Sequence, residues 1–155
     1  MNIFFLDENV EKCAQYHCDK HCVKMILETA QLLCSAHWMV GNEAPYRLTH
    51  KNHPCAIWVR KSIYNYNWLL ELGFALCAEY HRRYDKVHKC QAVMDWCEFN
   101  VPDLPEVPFT IPPQCMPDIY KQSNTVKAYR AYYMGEKAGF AVWKHTLTPT
   151  WFRVD

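Results

Sequence analysis

The chain has 155 residues, of which 50% are hydrophobic and 21% are charged. This composition excludes intrinsic disorder, and the length supports one domain with a real core. Seventeen Lys and Arg against sixteen Asp and Glu leave a net charge of +1, so no strong overall field attracts nucleic acid and any anion site must be local.

Helices are the expected fold class. Only four glycines occur, which argues against a turn-rich β-sandwich and against a glycine-rich phosphate loop. We therefore predict an all-α protein, with residues 1–155 forming one compact helical domain. No apolar run approaches the ~20 residues that span a bilayer, and the first residues lack signal-peptide features, so we expect a cytoplasmic protein without membrane contact. The odd count of nine cysteines rules out a complete disulfide framework.

A long central helix is predicted over residues 9–38, after an apolar segment that ends at the capping residues Asp7 and Asn9. It is apolar nearly all round and should be buried, so its polar residues are informative. They recur at steps of three and four and share one stripe: His17, His21, Lys24, Glu28, Gln31 and Ser35. Such a stripe on a buried helix predicts the floor of a cleft.

Lys24 and Glu28 carry the catalytic prediction. A desolvated lysine becomes a nucleophile or base, and a buried carboxyl group becomes a general acid. We expect Lys24 as amine or electrostatic partner, Glu28 as acid/base, and His21 and His17 as further catalytic groups. The alternative is a structural Lys–Glu pair, because ion pairs also perturb pKa values without catalysing anything.

A second cluster is predicted to contact substrate. Several cationic and amide side chains gather where a second long helix starts at Pro54, and helix N-termini bind anions. The predicted substrate-binding residues are Arg47, His50, Asn52, His53, Arg60 and Gln31. The basic run that ends this helix, around Arg83, is interpreted as a solvated face.

The remaining elements follow in order. A third helix is predicted over residues 86–99, with Asp85 as a possible cap. Six prolines between positions 102 and 117 make residues 101–116 an extended, irregular surface segment. A last helix is predicted over residues 125–143.

A metal-dependent hydrolase is an alternative interpretation. His17 and His21 have the spacing of two zinc ligands, and a third ligand would come from His50, His53 or Glu28. The HExxH pattern is absent, however, and no motif indicates an organic cofactor.

Two families resemble this sequence. A small family from open reading frames of large bacteriophages and other DNA viruses is similar in the segments DENVEKCAQYHCDKHCVKMILETAQLL, THKNHPCAIWVR, PDIYK, VKAYRAYY and TPTWF. More distantly, the chain resembles the pyrimidine-dimer DNA glycosylases of the phage endonuclease V type. The shared features are an apolar N-terminus before a long helix, an NHP step, and a C-terminal Pro-Thr-Trp-aromatic ending.

The glycosylase resemblance implies an all-helical enzyme that cleaves the N-glycosidic bond through an amine Schiff base, with a Glu beside the amine. Glu28 is then the matching carboxylate, and His17, His53 and Trp151 match the family's helix histidine, NHP histidine and C-terminal aromatic. The family's amine is exposed by removal of the initiator methionine. A residue of the size of Asn2 disfavours that removal, so Lys24 is the alternative amine.

The sequence therefore predicts a nucleic-acid- or nucleotide-directed enzyme, of DNA glycosylase/lyase or nucleotide N-glycosidase type, in DNA repair or modification. The near-neutral charge favours a single strand or a flipped base over extensive duplex contact. If the protein is viral, it should act in the host cytosol. The alternative is a non-catalytic viral binding protein that sequesters a nucleotide or blocks a host protein.

Overall fold

The computed structural model describes residues 1–153, and within these it contains six α-helices and no strand. The helices are α1 (Val10–Tyr16), α2 (Asp19–Met39), α3 (Pro54–Lys61), α4 (Ile63–Tyr84), α5 (Gln91–Phe99) and α6 (Thr125–Tyr132). A 3₁₀ turn at Asp118–Tyr120 precedes α6, and a π-helical turn at Tyr133–Lys137 follows it. The all-α prediction is confirmed.

Helix α2 is the centre of the fold. It packs against α3, α4 and α5, while α1 lies along α4. Fourteen of its 21 residues are buried, as expected for a helix that is apolar nearly all round. Across residues 1–153, no helix has both the length and the apolar character needed to cross a membrane.

The predicted helix over residues 9–38 is in fact two helices. His17 and Cys18 are extended, so α1 ends at Tyr16 and α2 begins at Asp19. Arg83 of α4 fills the break, since its guanidinium donates hydrogen bonds to the carbonyl oxygens of His17 (2.8 Å) and Gln15 (3.0 Å). The last carbonyls of a helix have no partner within it, and here a side chain from another helix supplies the donors. Arg83 is thus buried, which contradicts its interpretation as part of a solvated face.

The second long helix is also divided. Ser62 is extended between α3 and α4, and its hydroxyl caps α4 by accepting a hydrogen bond from the Tyr64 amide. The same hydroxyl donates to the carbonyl oxygen of Val107. This contact docks the proline-rich segment, which has no regular secondary structure over residues 101–114, against the α3–α4 junction.

Two further boundaries differ from the predictions. Asp85 ends α4 in the left-handed conformation (φ 53°) instead of capping the next helix, which begins at Gln91. The last α-helix stops at Tyr132, since the backbone widens into the π-helical turn and leaves helical structure before residue 141. Such turns are frequent at functional sites.

Candidate active site

A cavity of about 310 Å³ opens between the N-terminus, α2 and the π-helical turn, and we call it the N-terminal pocket. It is lined by residues from five parts of the chain: Met1, Asn2, Phe4, His21, Lys24, Met25, Glu28, His53, Cys115, Tyr132 and Lys137. Three members of the predicted stripe, His21, Lys24 and Glu28, therefore lie along one wall of a real cleft.

The α-amino group of Met1 lies against Glu28 in this pocket. The Met1 nitrogen is 3.1 Å from Glu28 Oε1, and the Met1 side chain is only 3% exposed. The backbone N–H of Asn2 donates to the same carboxylate oxygen at 3.2 Å. An amine and a carboxylate therefore meet at hydrogen-bonding distance inside a cavity, which is the arrangement needed for proton transfer during nucleophilic attack.

Lys24 lies at the rim of the pocket. Its Nζ is 3.8 Å from Glu28 Oε2, but its side chain is 63% exposed. The expectation of a desolvated lysine is therefore wrong, because Lys24 lies with Lys20 and Val23 on the exposed side of α2. The Lys24–Glu28 pair is a solvated rim contact, and the close partner of the carboxylate is the α-amino group.

His21 lines the pocket and is held there by two contacts. Its Nδ1 is 2.6 Å from the Tyr133 hydroxyl, and its ring stacks on Phe4 with 4.4 Å between centroids. Burial, with the nearby charges of Lys137 and Lys24, lowers the pKa of His21 to about 3. The ring is therefore neutral at physiological pH, and it offers hydrogen bonds rather than a positive charge.

His17 does not share the stripe. It lies in the break between α1 and α2, is 1% exposed, and its Nδ1 donates to the carbonyl oxygen of Cys13 at 2.7 Å. Desolvation lowers its pKa to about 4. It packs edge-on against Phe4 but does not line the pocket.

Asn2 anchors the first residues. Its side-chain oxygen accepts a hydrogen bond from the Tyr129 hydroxyl (3.1 Å), and its side-chain amide donates to the Cys115 carbonyl oxygen (3.0 Å). The segment that carries the amine is thus tied to α6 and to the end of the proline-rich segment. This fixes the amine relative to Glu28.

The pocket is locally cationic. The α-amino group, Lys24 and Lys137 line it, against one carboxylate, Glu28. Lys137 also lies over the Tyr132 ring, 4.7 Å from its centroid. A protein with a net charge of +1 therefore concentrates positive charge where an anionic substrate would enter.

The predicted substrate-binding residues are only partly brought together. His53 lines the N-terminal pocket, where its Nδ1 caps α3 by accepting from the Cys55 amide. Gln31 and Arg47 meet in a separate cavity of about 270 Å³, together with Lys89. The other three predicted residues, His50, Asn52 and Arg60, line neither cavity.

His50 has φ 49° and is exposed, and Arg60 is occupied by the carbonyl oxygen of Lys51 at 2.6 Å. The loop before α3 therefore uses Arg60 in its own structure. The anion site predicted at residues 47–53 is therefore divided: Arg47 lines one cavity, His53 lines the other, and His50 and Asn52 lie in the surface loop.

Nine cysteines are free, and eight of them are buried. Among residues 1–153, ligand atoms suited to a metal ion gather at His53, Cys55 and Cys115, within 4.8 Å of one another. That group includes neither His17 nor His21. A hydrogen bond between the two thiols lowers the pKa of Cys115 to about 7 and raises that of Cys55.

Several pocket residues carried no signal in the sequence. Phe4 and Cys115 have the sequence pattern of core residues, and Lys137 has that of a helix surface residue. Tyr132 belongs to a cluster of aromatic residues that core packing explains more simply than base stacking. Phe4 lies more than 100 positions before the other three in the chain, so only folding brings them together. The amine of the first residue was indicated by the family resemblance and not by any pattern in the chain.

Comparisons with known proteins give one family. The model of the family described as pyrimidine dimer DNA glycosylase matches residues 1–92, which is more than half of the 155-residue chain. The match covers α1 to α4 and every pocket residue up to His53. No curated protein and no solved structure matches the chain. The distant resemblance found in the sequence is confirmed, while the similarity to phage reading frames stays a prediction.

Proposed function

Because the chain belongs to the pyrimidine dimer DNA glycosylase family, we propose that it cleaves the N-glycosidic bond of a damaged pyrimidine in DNA. The α-amino group of its first residue is the nucleophile, and Glu28 is the acid/base. One observation carries the proposal: the Met1 nitrogen lies 3.1 Å from Glu28 Oε1 inside a cationic pocket.

The reaction follows from this pair. Glu28 accepts a proton from the amine, whose nitrogen then attacks C1′ of the damaged nucleotide. The N–C1′ bond forms as the N-glycosidic bond breaks, and the proton held by Glu28 passes to the departing base. The bound nitrogen then gives a second proton to Glu28, and the lone pair this frees opens the sugar ring. O4′ takes that proton from Glu28, and a protonated imine joins the protein to the DNA.

The geometry supports the same role for either of two amines. The Met1 nitrogen and the Asn2 nitrogen are 3.1 and 3.2 Å from the same oxygen of Glu28. Removal of Met1 would therefore leave a new α-amine already in contact with the carboxylate. The family mechanism does not depend on Lys24 replacing the terminal amine.

The remaining pocket residues have supporting roles. Lys24 and Lys137 line the pocket and are suited to contact the phosphates that flank the damaged nucleotide. Neutral His21, oriented by Tyr133, donates or accepts a hydrogen bond to the sugar or the base. Because the cationic groups are few, we expect a flipped nucleotide to be held with limited contact to the duplex.

Borohydride trapping tests this function. The protein is incubated with borohydride and three DNA duplexes: one with a pyrimidine dimer, one with an abasic site, and one undamaged. Borohydride adds hydride to the imine and leaves a stable secondary amine. We expect a covalent adduct with the first two duplexes, and peptide mapping should locate it on the N-terminal residue, whose identity intact mass establishes beforehand.

Matched variants define the roles. Glu28→Gln should abolish trapping, whereas Lys24→Ala should retain it with weaker DNA binding, and Lys20→Ala on the same helix should behave as wild type. An adduct on Lys24 would overturn the assignment of the amine. Tight binding without any adduct or base release would overturn the glycosylase proposal and favour a binding protein.

A further inference from the structure

We propose that His53, Cys55 and Cys115 form a binding site for a thiophilic divalent cation, Zn²⁺, in the wall of the N-terminal pocket. The site uses groups that the glycosidic chemistry leaves idle. One ligand atom of each residue lies within 4.8 Å of the others, and the three residues come from the start of α3 and from the end of the proline-rich segment.

The separation of the two sulfurs fits the ion. Two thiolates bound to tetrahedral zinc at about 2.3 Å each are about 3.8 Å apart. The Sγ atoms of Cys55 and Cys115 are 3.7 Å apart without a bond between them. The imidazole of His53 lies within 4.8 Å of both sulfurs, so a small side-chain rotation brings its nitrogen to the third ligand position.

The surroundings hold the ligands in place and leave a route of entry. The Cys115 N–H donates to the Tyr129 hydroxyl (3.2 Å), and its carbonyl oxygen accepts from the Asn2 side chain (3.0 Å). Cys55 is fully buried, but His53 and Cys115 line the pocket and face solvent in part. A cation entering the pocket therefore meets ligands whose backbone is already fixed.

The donor set selects the metal. Two sulfurs and one imidazole suit zinc, whereas magnesium and calcium require oxygen ligands. Binding forms two Zn–S bonds and one Zn–N bond, one water of the hydrated ion stays as the fourth ligand, and each thiol releases its proton to solvent. The Nδ1 of His53 accepts a hydrogen bond from the Cys55 amide at 3.1 Å, so ligation through Nδ1 would give up this helix cap, whereas ligation through Nε2 would keep it. Loss of His53 should weaken binding less than loss of either cysteine.

The test is metal titration of the reduced full chain, with a phosphine reductant that keeps all thiols free. Co²⁺ serves as a spectroscopic probe, and we expect a thiolate charge-transfer band that saturates at one equivalent and is displaced by Zn²⁺. About two protons should be released per Zn²⁺ in weakly buffered solution. Mg²⁺ should not displace the probe.

Variants distinguish metal binding at this site from metal binding to the other cysteine thiols. Cys115→Ser, which changes a half-buried residue, and Cys55→Ser should each lower the affinity at least 100-fold. His53→Gln should lower it about tenfold, and Cys22→Ala, outside the cluster, should leave it unchanged. Circular dichroism verifies the fold of each variant. Absence of the band in wild type, or an equal band in Cys115→Ser, would overturn the proposal. These measurements use no DNA, so their outcome does not depend on the outcome of the glycosylase test.

Discussion

Two ion-pair clusters involve residues of the central helix α2, and they differ in whether their charged groups reach a cavity. In the N-terminal pocket, Glu28 meets the α-amino group and, at the rim, Lys24. At the start of α2, Arg83 meets Asp19 and Glu79. The first cluster opens into a cavity of about 310 Å³, whereas the Arg83 side chain is fully buried.

The partners of each cluster explain the difference. Arg83 is engaged by two backbone carbonyls and two carboxylates, so it closes a helix break and has no room for a substrate. The α-amino group has Glu28 as its charged partner and faces the pocket. The ion pairs of the Arg83 cluster therefore stabilise the fold, whereas the ion pair between Glu28 and the α-amino group is available for chemistry.

Glu28→Gln should have the largest effect on activity and a smaller effect on stability. Loss of a general acid/base lowers rates about 10²–10⁴-fold, so cleavage of the N-glycosidic bond under single-turnover conditions should slow by that factor. Stability should change less than in an Arg83 variant, because a glutamine still accepts the Asn2 N–H. Quenched-flow or gel analysis of dimer-containing DNA measures the rate. A variant with near wild-type activity would remove Glu28 from the mechanism.

Arg83→Met should lower the stability of the fold and leave the activity of the folded protein nearly unchanged. It leaves Asp19 buried without its cation, and breaking a buried pair costs about 3–5 kcal/mol of unfolding free energy. Urea denaturation followed by circular dichroism measures the loss. Activity per folded molecule should stay close to wild type, and a stability loss below about 1 kcal/mol would contradict the structural role.

The buried histidines should give a pH dependence of stability. His17 and His21 have folded-state pKa values lowered to about 4 and 3, whereas the unfolded chain binds protons near pH 6.5. Their contribution is fully present above pH 6.5 and is lost as the pH falls toward 3. Each adds a slope of at most about 1.4 kcal/mol per pH unit. Denaturation at pH 7, 6 and 5 should show a smaller slope in His17→Gln, while exposed His50→Gln should match wild type.

Lys24→Ala should have the smallest effect on stability. An exposed ion pair contributes about 0–1 kcal/mol, and the Lys24 side chain is 63% exposed. The variant should keep its trapping adduct and lose DNA affinity, most clearly at low salt. Fluorescence anisotropy with labelled DNA measures this. Loss of the adduct in a folded Lys24→Ala protein would restore lysine as the nucleophile.

The sequence carries signals for some helix boundaries but not for others. Pro54, with His53 before it, marks the start of α3 in the sequence, and Asn124, the residue before the predicted last helix, caps α6. Ser62 is a typical N-cap residue, so the sequence does carry a signal that the second predicted helix is divided in two. Nothing at His17 signals the end of α1, because the break depends on donors from Arg83, 66 residues away.

The sequence by itself determined the fold class, the buried central helix, the extended proline-rich segment and the alignment of His21, Lys24 and Glu28. These follow from local periodicity, capping and proline geometry, which act between neighbouring residues. Tertiary structure alone decided that Glu28 meets the α-amino group, that Lys24 is solvated, and that Cys55 and Cys115 face each other. Burial and partnership depend on which distant segments cover a side chain, and no local pattern encodes that.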